Sequence, residues 1–224
     1  MPQSMRPVVP EERYTTSFSE QLQLALDPHN PNLQIDLGKY RFSWENGKNQ
    51  FSNEQQQGFR KLTSDELVQL MRRLWANPNV ILLNLMRQGI NGATMQVIAA
   101  AIAALSELQV LHLGGNFIGT QGCIILSSSL VRISHLKVLN LCENGIGAEG
   151  CIALSSSLVH LSHLEALSLD YNGIGAEGCI ALSSSLVHLS HLEVLGLISK
   201  CFWIQRVVVV VLLSAAEICV CCIE

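Results

Sequence analysis

Hydrophobic and polar positions along the middle of the chain repeat with a period of 28 residues. Aligned segments begin at Val80, Leu108, Leu136 and Leu164, and a fifth begins at Leu192 and then breaks off. Each segment opens with leucines that alternate with other residues, which predicts a short strand with one buried face. A fixed period of this size indicates a solenoid, in which each repeat covers the apolar face of its neighbour.

The second half of each repeat has a helical period. In the third repeat an apolar stripe predicts the buried side of a helix. Its members are Ile152, Leu154, Leu158, Val159 and Leu161. Strand and helix alternate in one direction, which predicts a parallel sheet. Helices are wider than the roughly 4.8 Å strand spacing, so we expect strands on a concave side and helices on a convex side.

The pattern LxxLxLxxNxIGxxGxxxL resembles a leucine-rich repeat, and its 28-residue length resembles the ribonuclease-inhibitor-like subtype. That subtype also occurs in innate immune receptor sensor regions and in proteins that intracellular bacteria inject into host cells. The resemblance covers residues 80–197 and implies an α/β solenoid that binds proteins without shared catalytic residues. It also implies that Asn116, Asn144 and Asn172 bond neighbouring backbone, whereas the first repeat departs from the pattern with Gln88.

The array divides the chain into four parts. Residues 1–21 have no apolar signal core and are expected to form a disordered leader. Residues 22–79 are expected to form an N-terminal cap, residues 80–197 the repeats, and residues 198–224 an atypical apolar tail.

The predicted cap contains an edge strand around Leu33, Ile35 and Leu37, then a polar loop over residues 44–59. A helix follows, because Thr63 and Glu66 form a capping signature. One apolar face of that helix is predicted at Leu67, Leu70, Met71 and Leu74.

The tail departs from the repeat after Leu197. Val207–Ala216 holds ten apolar residues, fewer than the roughly 20 that span a bilayer, so a membrane anchor is the less favoured interpretation. We favour the hypothesis that the tail is the next repeat read out of frame. Shifting the codons of Trp203 and Ile204 by one base forces a glycine where the repeat requires one.

Candidate chemistry changes this picture little. A net charge of −4 argues against nucleic-acid binding, and the sequence holds no phosphate loop or nucleophile elbow. Cys123, Cys151 and Cys179 recur at the repeat spacing and are interpreted as small buried side chains. Histidines in the helix-to-strand turns are interpreted as copied turn residues rather than metal ligands. These are His135, His160, His163, His188 and His191.

Three serine triplets, at residues 127–129, 155–157 and 183–185, are expected on the outer helix face. They match no nucleophile motif. We therefore expect no enzyme activity, no metal and no cofactor.

Residues that alternate with the buried leucines are predicted to face the concave side, and the residues just after each strand lie at its rim. A protein partner is expected to contact Asn84, Met86, Arg87, His112, Asn140, Glu143, Ser168, Asp170 and Tyr171. Asp170 and Tyr171 are the favoured pair and are expected to be exposed, because an aromatic beside a charge is typical of interface anchors. For any single residue the alternative is a solvated strand surface without a partner.

The sequence thus predicts a non-enzymatic protein-recognition module in the cytoplasm, or in the host cytosol if it is an injected effector. Its partner is an unidentified protein, with nucleic acid and membrane not expected. The alternative is a membrane-associated protein anchored by its tail.

Overall fold

The computed structural model describes residues 33–36, 41–45, 48–52, 61–75, 77, 79–197 and 219–221. The predicted leader lies outside these residues. The strands are β1 (Leu33–Asp36), β2 (Arg41–Glu45), β3 (Lys48–Ser52), β4 (Val80–Asn84), β5 (Val110–His112), β6 (Val138–Asn140), β7 (Ala166–Ser168), β8 (Val194–Gly196) and β9 (Cys219–Cys221). The helices are α1 (Ser64–Leu74), α2 (Gly92–Ile102), α3 (Gly119–Leu130), α4 (Gly147–Leu158) and α5 (Gly175–Leu186).

One parallel sheet runs in the order β1-β4-β5-β6-β7-β8-β9. Its register places equivalent residues of successive repeats side by side. One such line is Leu83, Leu111, Leu139, Leu167 and Leu195. These leucines belong to one continuous buried core beneath the helices. The predicted α/β leucine-rich repeat solenoid is therefore confirmed.

Glycine allows neighbouring helices to approach closely at the start of each helix. A Cβ added to Gly150 would lie 2.7 Å from the Ile146 side chain and 3.3 Å from Cys123 Cβ. Cys123 and Cys151 are fully buried here, as the repeat spacing predicted. Helices α3, α4 and α5 consequently pack side by side, each contacting the next.

Asparagine side chains form hydrogen bonds between each turn and the repeat before it. The Asn172 amide donates to the carbonyl oxygens of Leu141 at 2.8 Å and Leu169 at 3.0 Å, and its oxygen accepts from the Asn144 N–H at 2.9 Å. Gln88 instead accepts from the Leu62 N–H at 2.9 Å. The backbone-bonding role implied by the resemblance is confirmed.

The cap region agrees with the sequence at its helix but not at its predicted loop. Thr63 and Glu66 form the capping box, and the apolar residues predicted for α1 are buried. Strand β1 lies at the sheet edge beside β4. The loop prediction was wrong for residues 44–45 and 48–52, because β2 and β3 pair as antiparallel strands. Residues 53–59 of the predicted loop lie outside the described part. Asn46-Gly47 separates these strands, and that dipeptide is the strongest short hairpin signal.

The serine triplets are not wholly on the outer face, contrary to expectation. In α4, Ser156 is exposed while Ser155 and Ser157 are buried. Three consecutive residues span about 200° around the helix axis. The helices on both sides of α4 leave an exposed arc narrower than this, so not all three serines can face outward. The predicted apolar stripe was also wrong in two places, since Ile152 and Val159 are exposed.

The tail is described only at Cys219–Cys221, where β9 extends the sheet beside β8. Residues Val207–Ala216 and Trp203–Ile204, which carry the anchor and frame-shift predictions, lie outside the described part. None of the described helices is both long and apolar enough to cross a membrane.

Candidate protein-interaction site

The strand face, meaning the side of the sheet opposite the helices, carries most of the predicted site. Six of its residues were expected to be accessible but are buried: Asn84, Met86, His112, Asn140, Ser168 and Asp170. The expectation of exposure was wrong for these side chains, including Asp170 at 2%. Their role in binding stays a prediction.

Contacts between equivalent positions of successive repeats give a physical reason for this burial. Strands only about 4.8 Å apart leave room for side chains to lie over their neighbours wherever a glycine intervenes. A Cβ at Gly114 would be 2.7 Å from Cys142 Sγ and 3.1 Å from Met86 Cε. Likewise, a Cβ at Gly196 would be 2.6 Å from an Asp170 carboxylate oxygen. The larger side chains therefore fill the space above the glycines.

Polar groups on this face bond to the chain itself. Asn84 donates to the Asp36 carboxylate at 2.8 Å, and the Ser168 hydroxyl donates to Asp170 at 3.0 Å. The Asn140 side-chain oxygen accepts from the Cys142 N–H at 3.0 Å. Such internal bonds compensate for burial.

His112 is the titratable group most affected by this environment. Burial lowers the pKa of His112 from 6.5 to about 4, because the charged imidazolium loses its hydration. At neutral pH the strand face therefore holds a neutral imidazole at this position.

The rim row, Arg87, Gly115, Glu143 and Tyr171, is more accessible. All four residues adopt positive φ, at 58°, 69°, 53° and 56° respectively. The left-handed region costs a non-glycine residue about 1–2 kcal/mol, so three of these positions are strained. Tyr171 is 47% exposed, as expected. The rim therefore supplies accessible side chains, whereas the six predicted residues on the strand face are buried.

A salt bridge crosses the rim row. Arg87 Nη2 lies 3.0 Å from Glu143 Oε2, with both side chains half-exposed. The pair spans two repeats over Gly115, where a Cβ would be 2.7 Å from Arg87 Cγ. A half-exposed pair contributes at most about 1 kcal/mol to stability. Its clearer effect is to hold two charged groups in fixed positions.

Phe117 is an exposed aromatic that the sequence reasoning missed. It is 71% exposed and lies two residues after the rim position, where other repeats have Gly89, Gly145 and Gly173. Those glycines have positive φ, and Phe117 does not. The signal was present in the repeat alignment, as a bulky residue at a position otherwise occupied by glycine.

Phe117 also interrupts the asparagine ladder, meaning the row of side-chain hydrogen bonds made by Asn116, Asn144 and Asn172. Its N–H donates to the Ile90 carbonyl at 2.7 Å. The side-chain oxygen of Asn144 is buried and has no hydrogen-bond partner, whereas that of Asn116 accepts two N–H groups. An unsatisfied buried acceptor costs about 1–3 kcal/mol. The exposed ring is thus accompanied by a local loss of stability.

Histidines in the turns lie in a row, with an edge-to-face contact between His135 and His163 and a stacked contact between His163 and His191. The ring centroids of His135 and His163 are 6.0 Å apart, and those of His163 and His191 are 6.1 Å apart. Each Nδ1 lies 2.8–3.2 Å from a carbonyl oxygen of the preceding repeat, so Nδ1 donates the hydrogen. Over the described ranges, no three His, Cys, Asp or Glu side chains are placed to hold a metal ion. The ring contacts and the Nδ1 hydrogen bonds of these histidines join consecutive repeats.

The repeat cysteines are free thiols. Burial raises the pKa of Cys123 to about 12, and it raises the pKa values of Cys151 and Cys179 as well. The pKa of Cys142 is raised to about 12, mainly by burial and then by the Glu143 and Asp170 carboxylates. At neutral pH these thiols are protonated and poor nucleophiles.

Comparison with known proteins supports the repeat assignment. A family model described as Leucine Rich repeat matches residues 132–155 and 160–183. The chain contains leucine-rich repeats. No curated protein matches the chain.

Thirty-one chains of solved structures match this chain. One is described as leiomodin-1 actin-binding site 2, at 17% sequence identity with a TM-score of 0.54. The match covers 70% of this chain and 90% of the leiomodin-1 chain. At this identity the likeness concerns the fold.

Proposed function

We propose that this protein is a non-enzymatic recognition module that binds a protein partner at the rim and the adjoining strand face. The observation that carries the proposal is that side chains are accessible at positions where the backbone is strained or a hydrogen bond is lost. Tyr171 and Phe117 are exposed aromatics, and both stand where the backbone or its hydrogen bonds favour glycine. Strain retained at accessible positions is typical of functional surfaces.

Glu143 and Arg87 support the same surface with charge. Their salt bridge lies beside the two aromatics along the same edge of the array. Aromatic and arginine side chains are the residues that most often dominate binding energy. A Cβ built at Gly145 or Gly173 would have no surrounding heavy atom within 4 Å, so the backbone at these glycines is open to a partner.

The architecture is consistent with this role. Repeat arrays present extended surfaces, and leucine-rich repeat proteins generally bind other proteins. The leiomodin-1 structure is named as an actin-binding site, although a fold likeness does not transfer that ligand. The ribonuclease-inhibitor-like subtype and a cytosolic location are parts of the same proposal, the location being the host cytosol if the protein is an injected effector.

Affinity capture with mass spectrometry would identify a partner, and variants would then test the surface. Tyr171→Ala and Phe117→Gly should each weaken binding by about 2 kcal/mol, roughly 30-fold in Kd. Gln96→Ala is the control, because Gln96 is an exposed residue of α2. Unchanged affinity in both aromatic variants would refute the rim assignment.

Phe117→Gly has a second readout that separates binding from folding. Glycine allows the turn used by the other repeats and frees an N–H for Asn144. The free energy of unfolding should therefore be maintained or rise by about 1 kcal/mol. Weaker binding by a chain of equal or greater stability would assign Phe117 to recognition.

The tail alternative is tested separately. Deleting residues 198–224 should leave partner binding intact if recognition resides in the repeats. Loss of membrane association on the same deletion would favour the anchor interpretation.

A further inference from the structure

The outward face of α3, α4 and α5 carries two rows of exposed apolar side chains. One row is isoleucine and the other valine, and their exposed fractions range from 38% to 65%. The members are Ile124, Ile152 and Ile180, with Val131, Val159 and Val187. We call this surface the outer patch. Exposed apolar side chains gathered on one face commonly mark an interaction site.

Charge on the outer patch is divided between its two ends. Exposed Glu149 and Glu177 lie in the first turns of α4 and α5. Arg132, His160 and His188 are exposed just beyond the helix ends. Carboxylates therefore lie at one end of the patch, and cationic or N–H-donating side chains at the other.

The patch is confined to three repeats. In α2 the positions equivalent to Ile124 and Val131 hold Gln96 and Ala103. The apolar rows therefore end at α2, although the core beneath continues through it. Core packing does not explain rows that point outward.

Helical geometry separates apolar and polar lines on each helix. Ile152 and Val159 are seven residues apart, about two turns, so they share one line. Glu149 lies about 60° around the helix from that line, and His160 follows two residues after the last helical residue. The pattern in α5 is the same.

We propose that a second copy of this chain docks on the outer patch, with its helices antiparallel. A two-fold axis running across the helices places each helix against its own counterpart, reversed in direction. Apolar lines then meet apolar lines, and Glu149 meets His160 of the second copy. A two-fold axis parallel to the helices would place the carboxylate end of one copy over the carboxylate end of the other. The charges are complementary only in the first arrangement.

The available area fits a weak dimer. Three 12-residue helices, each about 18 Å long and about 9 Å from the next, outline roughly 500 Å² per copy. Two convex faces bury less than the total of about 1,000 Å², which is the range of weak, transient interfaces. The outer patch lies on the helices, whereas the proposed recognition rim follows the ends of the strands.

Sedimentation velocity of the full chain from about 1 to 100 µM tests the docking. The wild type should dimerise within this range, and Ile152→Asp with Ile180→Asp should raise the dimer Kd at least tenfold. Gln96→Asp places the same charge at the equivalent exposed position of α2 and should leave the Kd unchanged. A monomeric wild type, or a dimer that tolerates both aspartates, would overturn the proposal. Circular dichroism checks that each variant is folded.

Charge reversal tests the orientation. Glu149→Arg with Glu177→Arg should weaken the dimer at least threefold, because arginine then faces His160 and His188 of the second copy. Adding His160→Glu and His188→Glu to the same chain should restore the wild-type Kd. An unweakened first variant, or an unrestored second one, would contradict the antiparallel arrangement.

Discussion

His112 should make the stability of this protein sensitive to acid. The side chain is 7% exposed on the strand face, and its burial lowers the pKa to about 4 from 6.5. Between these pH values the unfolded chain binds a proton that the folded chain excludes, so the free energy of unfolding falls as pH falls. The difference between the two pKa values corresponds to about 3 kcal/mol, fully present above pH 6.5 and lost by about pH 4.

Urea unfolding followed by far-ultraviolet circular dichroism, at intervals from pH 7 to 4, measures this effect. His112→Asn is the informative variant, because Asn84 and Asn140 occupy the equivalent strand position in neighbouring repeats. It should lose about 3 kcal/mol less than the wild type over this pH range. His160→Asn is the matched control, because His160 is an exposed histidine. Parallel curves for wild type and His112→Asn would refute the buried neutral imidazole.

Three further predictions concern the repeat interior. Leu139→Ala should lower the free energy of unfolding by about 2–5 kcal/mol in urea titrations, because Leu139 is fully buried; a loss below about 1 kcal/mol would contradict its place in the core. Asn172→Ala should cost about 3 kcal/mol in the same assay, because it leaves buried backbone groups without partners, and an unchanged midpoint would argue against the ladder. Cys123 and Cys151, whose pKa values are raised by burial, should react with iodoacetamide only after unfolding; mass spectrometry of labelled native protein checks this, and rapid native labelling would show that the helix starts are open.

The repeat register was readable from the sequence because it depends on local periodicity. Leucines two residues apart and a fixed 28-residue spacing determine which residues form strands and which residues stack. The Thr63–Glu66 capping box is likewise a local pattern, and it is present. The asparagine position followed from family resemblance, and the structure supplies its bonds.

Accessibility was decided by tertiary packing. Whether Asp170 is exposed depends on Gly196 in the next repeat, which leaves space for the carboxylate to lie flat. Whether Ile152 faces the core depends on how much of α4 its two neighbouring helices cover. Neither quantity is contained within a single repeat. The sequence by itself determined the order and alignment of the repeats, because these follow from local spacing. Only the stacked structure determined which surfaces are accessible, because exposure depends on side-chain volumes contributed by neighbouring repeats.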